Sequence, residues 1–434
     1  MPQATSATIG SPPRAATYAS LLPLILVVSL FFLWGVANNL NDILVAQFKK
    51  AFTLSDLQAG LVQSAFYLGY FLVAIPAGLF MRRFGYKGAI VFGLMLYGAG
   101  ALLFWPAAAS ATYGAFLFAL FVIASGLAFL ETSANPLVTL LGPPETAAAR
   151  LNLAQAFNPL GSISGVLIGQ LFIFSGIEHT PQQRAAMDDA ARHAYLMREA
   201  SAVQWPYLVI GLVVIGWALM IVLTRFPDTD VPAERDPAIH HGALARLLRS
   251  GRFMAAVGAQ FFYVGAQVSV WSYLIRYVQG TMPGTPARSA ANFLTASLVC
   301  FMIGRFMGAA LMKYLRPARL LAIFAAIDIA LAVVAVLMPG AVGAYALVAC
   351  SFFMSVMYPT IFALGVEGRD NGERKLGSAV LVMAIIGGAV LTAAMGATSD
   401  VAGIARAMLV PAACFVVILL FASRHWAGTP RSEQ

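Results

Sequence analysis

The sequence predicts an all-α membrane protein: twelve transmembrane helices in two pseudo-symmetric halves of six. Three observations predict it. Of 434 residues, 60% are hydrophobic and only 10% charged, whereas soluble domains carry about 25% charged residues. The apolar residues fall into blocks long enough for the ~20-residue crossing that a bilayer requires. The second set of six blocks echoes the first.

The blocks lie near 21–48, 58–81, 88–108, 114–140, 153–175 and 204–224, then near 254–278, 290–312, 319–338, 342–365, 377–399 and 404–423. Residues 1–19 are polar with one cation, Arg14, and no small-residue cleavage site follows the first block. The first block therefore reads as a retained span rather than a signal peptide. With the N-terminus inside, Lys and Arg concentrate on inner segments, as at Arg82, Arg83, Lys87, Lys313, Arg316, Arg319, Arg369, Arg374 and Lys375. Both termini are expected in the cytoplasm.

That charge bias also accounts for the net charge of +9 without a nucleic-acid partner. The expected organisation is a tail (1–19), a six-helix half (20–225), a cytoplasmic linker (226–252), a second half (253–425) and a tail (426–434). The linker is marked by Pro and charge; its end, "ALARLLRSGR", suits a short amphipathic helix at the membrane surface. His240 and His241 read as solvated linker residues. Cys300, Cys350 and Cys414 lie inside apolar runs and read as inert core thiols rather than a disulfide or metal framework.

Three features repeat. "ANPLVTLLG" and "MYPTIFALG" each place a proline six residues before a glycine, Pro136 to Gly142 and Pro359 to Gly365, followed by Arg150 and Arg374. Glycines eight apart follow, Gly161 and Gly169 against Gly388 and Gly396. "FF-x-x-G" occurs at Phe31–Gly35 and Phe261–Gly265. Parallel six-span repeats with a substrate site near the midplane are a secondary-transporter architecture. No nucleotide-binding P-loop is present, which leaves an ion gradient as the energy source. The chain reads as no enzyme, with no metal and no cofactor beyond a proton as coupling ion.

Ionisable groups inside spans cost at least ~2.5–3.5 kcal/mol each on insertion scales, so the few present stand out. Asp42 falls in the outer half of the first span and Glu131 near the middle of the fourth. A coupling carboxylate must be neutral in one state and ionised in another, and burial can raise a carboxyl pKa by up to ~3–5 units. The bland alternative is a structural carboxylate held by Asn and Ser. Arg305 reads as an inner-gate or snorkelling cation ahead of a substrate ligand, and Asp328 as a packed or water-lined polar residue without an obvious partner.

Uncharged polar residues cluster in the first, fourth, fifth, seventh and tenth spans: Asn38, Asn39, Asn135, Asn152, Gln155, Asn158, Gln260, Gln267, Trp271, Tyr273 and Tyr358. Amides both donate and accept, which suits a polyhydroxylated ligand, and Trp271 offers a face for a pyranose ring. The competing role is interhelical hydrogen bonding. Pro76, Pro136, Pro159 and Pro359 free backbone carbonyls one turn earlier and permit kinks. Gly-rich fifth and eleventh spans read as packing seams.

Longer stretches carry a resemblance: "FFLWGVANNLNDIL", "LQAGLVQSAFYLGYF", "LETSANPLVTLLGP", "RLNLAQAFN", "AQFFYVGAQVSVWSYLIRY" and "MYPTIFALG". Over nearly all of 20–425 the chain resembles the major facilitator superfamily and, within it, the L-fucose–proton symporter family. The resemblance implies alternating access, with symport of a hexose or 6-deoxyhexose and a proton, L-fucose first. It makes Asp42 and Glu131 the proton-linked carboxylates and Asn158 and Tyr358 cavity residues. Asn38, Asn39, Asn135, Gln155, Gln267 and Trp271 complete the expected sugar-binding set, with Asn39 rather than Asn38 facing the cavity. One departure stands in "GLFMRRFGYK" (78–87), where Arg82 replaces an aspartate of the wider superfamily. The implied partners are a small sugar, a proton and the lipid bilayer, for a monomer in a bacterial-type cytoplasmic membrane. Rival readings are a glucose, galactose or mannose transporter, coupled to sodium or to protons, a non-transporting sugar sensor, and a drug–proton antiporter, whose pocket would be more apolar.

Overall fold

The computed structural model describes residues 21–51, 56–110, 112–168, 171–172, 187–226 and 242–427. At Asn38, Asn39, 41–51 and 56–64 it describes the backbone alone. Among the described residues all regular structure is helical. The first span is α1 (Leu21–Ala51). The second and third form α2 (Asp56–Ala109), 54 residues interrupted at Gly85, whose φ of 73° is one that glycine tolerates. The fourth is α3 (Tyr113–Leu140), and the fifth comprises α4 (Ala147–Gln155) and α5 (Phe157–Ile168). A connector helix, α6 (Asp189–Ser201), precedes the sixth span, α7 (Gln204–Leu223).

After α8 (Ala243–Arg249), the second half runs through α9 (Gly251–Thr281), α10 (Ala287–Leu311) and α11 (Pro317–Leu337). The tenth span is α12 (Ala341–Met354) with α13 (Met357–Val366). The eleventh is α14 (Asn371–Met383), a 3-10 turn and α15 (Gly387–Ala402). The twelfth is α16 (Ile404–Ala407) with α17 (Leu409–Ala427). Among the described residues nine helical stretches are long and apolar enough to cross a membrane, and the 45-residue Ala65–Ala109 holds two crossings. The apolar Leu22–Ala37 and the broken fifth span complete the twelve-helix fold.

Of the four prolines expected to permit kinks, two follow breaks in their helices and two do not. Pro76 and Pro136 sit inside continuous helix. Pro159 and Pro359 follow the interruptions at Ala156 and at Ser355–Val356. Because proline has no N–H, the carbonyls of Gln155 and Ser355, four residues earlier, lose their helical donors.

Each half is closed by the same seam. The carbonyl of Phe32 lies against Gly161 and that of Val36 against Gly165; in the second half the carbonyl of Phe261 lies against Gly387. Small residues let two backbones approach this closely, and a Cβ at Gly161 or Gly387 would collide with backbone. In the second half it is Gly387 that meets a backbone carbonyl, while the neighbouring Gly388 faces Val264 and Val268. Arg150 caps α3 through the carbonyls of Val138 (3.2 Å) and Thr139 (2.8 Å). After α13, Arg369 donates to Gly365 O at 3.0 Å, and the expected Arg374 donates to the Arg369 carbonyl at 3.2 Å.

The halves meet at the end of the bundle that carries residues 82–87. Gly78 faces the Ala379 methyl and the Lys375 carbonyl. Tyr86 donates to Asn371 Oδ1 at 2.7 Å, and the Lys375 ammonium lies 5.0 Å over the Tyr86 ring. The short helix expected at the membrane surface, α8, packs on the second half. Leu247 is buried there and Arg246 pairs with Glu373 at 3.0 Å.

Candidate functional site between the two halves

The site forms where α3, α4 and α5 of the first half face α9, α10, α12 and α13 of the second. The C-terminal part of α3 is buried continuously from Ile123 to Thr139, so polar side chains there have only protein neighbours. Glu131 is 1% exposed. Its Oε1 accepts a hydrogen bond from the Tyr358 hydroxyl, supplied by α13 across the interface. Its Oε2 has no hydrogen-bond partner among the described residues, and it lines a small crevice with Leu30, Phe31, Trp34, Leu130 and Ala134. One oxygen is tied to the opposite half, and the other retains capacity for a proton.

One turn along the same face of α3 lies Asn135, fully buried. Its Oδ1 accepts from Gln155 Nε2 at 2.9 Å. Gln155 is the last residue of α4, and Arg305 of α10 reaches it from the other half. Arg305 Nη1 donates to the Gln155 carbonyl at 2.6 Å and to its side-chain oxygen at 3.1 Å. Arg305 Nε donates to the Ser355 carbonyl at 3.1 Å. One guanidinium therefore satisfies both carbonyls released by Pro159 and Pro359, one in each half. At 5% exposure Arg305 bridges the halves, which settles the earlier alternative against snorkelling.

On the second-half wall, Trp271 is half-buried. Its Nε1 donates to Ser351 Oγ at 3.1 Å, and Ser351 shares a hydrogen bond with Ser297. The indole meets the edge of Phe301 at 4.9 Å, and the Arg305 guanidinium lies 4.7 Å over that same ring. Gln267, one turn before Trp271, is half-buried. Asn158 takes a partly structural role: its Nδ2 donates to the Phe31 carbonyl at 3.3 Å, across the first-to-fifth-span seam.

The structure thus brings together Glu131, Asn135, Gln155 and Tyr358, with Trp271 joined to them through Phe301 and Arg305. The side chains of Asn38, Asn39 and Asp42 lie outside the described residues, as does the expected orientation of Asn39. Sequence reasoning gave Arg305 an inner-gate or snorkelling role without its partners; the signal was two prolines at fixed offsets from Gln155 and Ser355, which required a donor. It also left Asn152 unassigned, whose Nδ2 crosses the interface to Thr360 Oγ1 at 3.2 Å. Asp328 is 0% exposed. Neither of its oxygens has a hydrogen-bond partner among the described residues, and the Cys350 thiol lies alongside.

Residues 24–391 match the Major Facilitator Superfamily model. The chain is 49% identical over 406 residues to an L-fucose-proton symporter of Escherichia coli (strain K12), covering 93% of this chain and 92% of that protein. It is 37% identical over 393 residues to a glucose/galactose transporter of Brucella abortus biovar 1 (strain 9-941), covering 90% and 91%. It superposes with a TM-score of 0.86, at 48% identity over 93% of this chain and 98% of the other, on the crystal structure of a major facilitator superfamily transporter, FucP, in the outward conformation. The chain belongs to the Major Facilitator Superfamily, in the family of the L-fucose–proton symporters.

Proposed function

We propose that this protein is a proton-coupled sugar symporter, with L-fucose as its first substrate, working by alternating access between its two six-helix halves. The observation that carries the reading is the crossing hydrogen bond from Tyr358 to Glu131, in a chain 49% identical to an L-fucose-proton symporter. A carboxyl held by a phenol of the opposite half feels every relative movement of the halves. Its proton affinity then depends on conformation, which is the requirement for coupling.

In this reading Glu131 is the main proton carrier and Asp42 the second coupling carboxylate. Asn38, Asn39, Asn135, Gln155, Asn158, Gln267, Trp271 and Tyr358 line the sugar cavity. Both termini face the cytoplasm of a bacterial-type cytoplasmic membrane, and 226–252 joins two halves that rock as bodies in a monomer. The 82–87 end is then the cytoplasmic end. Its closure by Gly78–Ala379, Tyr86–Asn371, Asn152–Thr360 and Arg305–Gln155 supports an outward-facing or occluded state.

The test is sugar-evoked pH change in proteoliposomes over a panel of L-fucose, D-glucose, D-galactose and D-mannose. L-Fucose is expected to draw protons with it. The 37% identical glucose/galactose transporter favours a second reading, in which D-glucose or D-galactose takes its place. A signal that requires sodium would sink proton coupling, and sugar binding without uptake would support a sensor.

A further inference from the structure

The directions of the hydrogen bonds around Arg305 follow from its chemistry. A guanidinium donates and never accepts. The Gln155 side-chain atom 3.1 Å from Nη1 is therefore the oxygen, and turning that amide over would set its NH2 against a cation. The Gln155 Nε2 is left to face Asn135, where it donates to Oδ1 at 2.9 Å. Asn135 is fixed in turn. Its oxygen is occupied, and its Nδ2 is a fully buried donor without a partner among the described residues, on the face of α3 that carries Glu131. Arg305 itself is anchored from both halves by the proline-released carbonyls of Gln155 and Ser355.

We propose that Arg305 is a positioning residue that sets the polarity of the Gln155–Asn135 pair, so that Asn135 offers the ligand an N–H donor and nothing else. The group this fits is an oxygen lone pair: a sugar ring oxygen, or a hydroxyl used as an acceptor. An ammonium or any ligand that must donate at this point is disfavoured. The inference rests on the sugar-transport reading and adds to it the direction of one contact and the remote residue that dictates it.

The experiment measures L-fucose binding to the purified full-length protein by calorimetry, for Arg305→Met, Arg305→Lys, Asn135→Ala and the Arg305→Met/Asn135→Ala pair. Arg305→Met frees both amides to turn over and is expected to weaken binding ~10-fold, the worth of about one hydrogen bond. Arg305→Lys still only donates and is expected to stay within about threefold of wild type. In the Asn135→Ala background no donor remains to be oriented, so Arg305→Met is expected to cost nothing further. A purely structural Arg305 would instead show the same loss in both backgrounds, and that result overturns the inference. Wild-type affinity in Arg305→Met overturns it as well. Where Arg305→Met does not fold, Asn135→Leu serves: it removes the donor, a ~10-fold loss is expected, and unchanged affinity overturns the inference. A wild-type protein that binds none of L-fucose, D-glucose, D-galactose and D-mannose fails the sugar reading itself, and the inference with it.

Discussion

The two halves share a frame and differ in chemistry. In each, the first helix lays a phenylalanine carbonyl on a glycine of the fifth, Phe32 on Gly161 and Phe261 on Gly387. Glu131 and three of the amides, Asn135, Gln155 and Asn158, stand in the first half, with Gln267 in the second. The groups that grip Glu131 and Gln155 across the interface, Tyr358 and Arg305, stand in the second. Repetition therefore supplies two bodies that move as units, and asymmetry supplies bonds that must break when they move. A symmetric distribution would have let each half satisfy its own polar groups, with nothing to couple.

The largest expected effect comes from removing the acid of that asymmetric pair. With a pH gradient of one unit, one proton per sugar supports accumulation of about tenfold. Glu131→Gln is expected to bring accumulation down to equilibration while leaving counterflow, measured with labelled L-fucose. Asp42→Asn in the same two assays tests the second carboxylate. Tyr358→Phe removes only the phenol that reports movement to Glu131. Uptake is expected to fall ~10-fold, about the worth of a hydrogen bond to a charged group, and its pH profile to move relative to wild type.

The shared frame makes its own predictions, read as thermal stability in detergent. Gly161→Val and Gly387→Val force a side chain onto a backbone carbonyl and should each destabilise by ~1–3 kcal/mol. Gly216→Ala, with open space beside it, should stay within about 0.5 kcal/mol. A clear loss in one half with none in the other would break the claim that the seams are equivalent. Tyr86→Phe deletes the bond to Asn371 and should ease opening of the 82–87 end by ~0.5–1.5 kcal/mol, seen as greater cysteine accessibility at that end. The smallest effect is expected from Asp328→Asn. That acid packs beside Cys350 inside the second half and makes none of the crossing bonds among the described residues, so accumulation should be unchanged.

The span count was legible in the sequence because apolar blocks of membrane length leave few alternatives, and the outer limits of most blocks fall within a few residues of the helices. Helix breaks were only partly legible. Four prolines carried the same signal, yet Pro76 and Pro136 lie in continuous helix while Pro159 and Pro359 follow breaks. What separates these last two is a guanidinium from a distant span, and no local window contains it. The same holds for Tyr358 and Glu131. Each was singled out as a polar residue in an apolar run, but their pairing across 227 positions is a property of how the halves dock. The Gly85 interruption was legible only as a charged connector, since φ is set by the turn the chain must make there.

The central claim is that Glu131, held by Tyr358, carries the proton that moves with the sugar. Its most direct measurement is external pH in lightly buffered proteoliposomes on adding L-fucose, with wild type and Glu131→Gln compared at matched sugar exchange. The expected result is alkalinisation with wild type and none with Glu131→Gln. Sugar-evoked alkalinisation that persists in Glu131→Gln would contradict the claim.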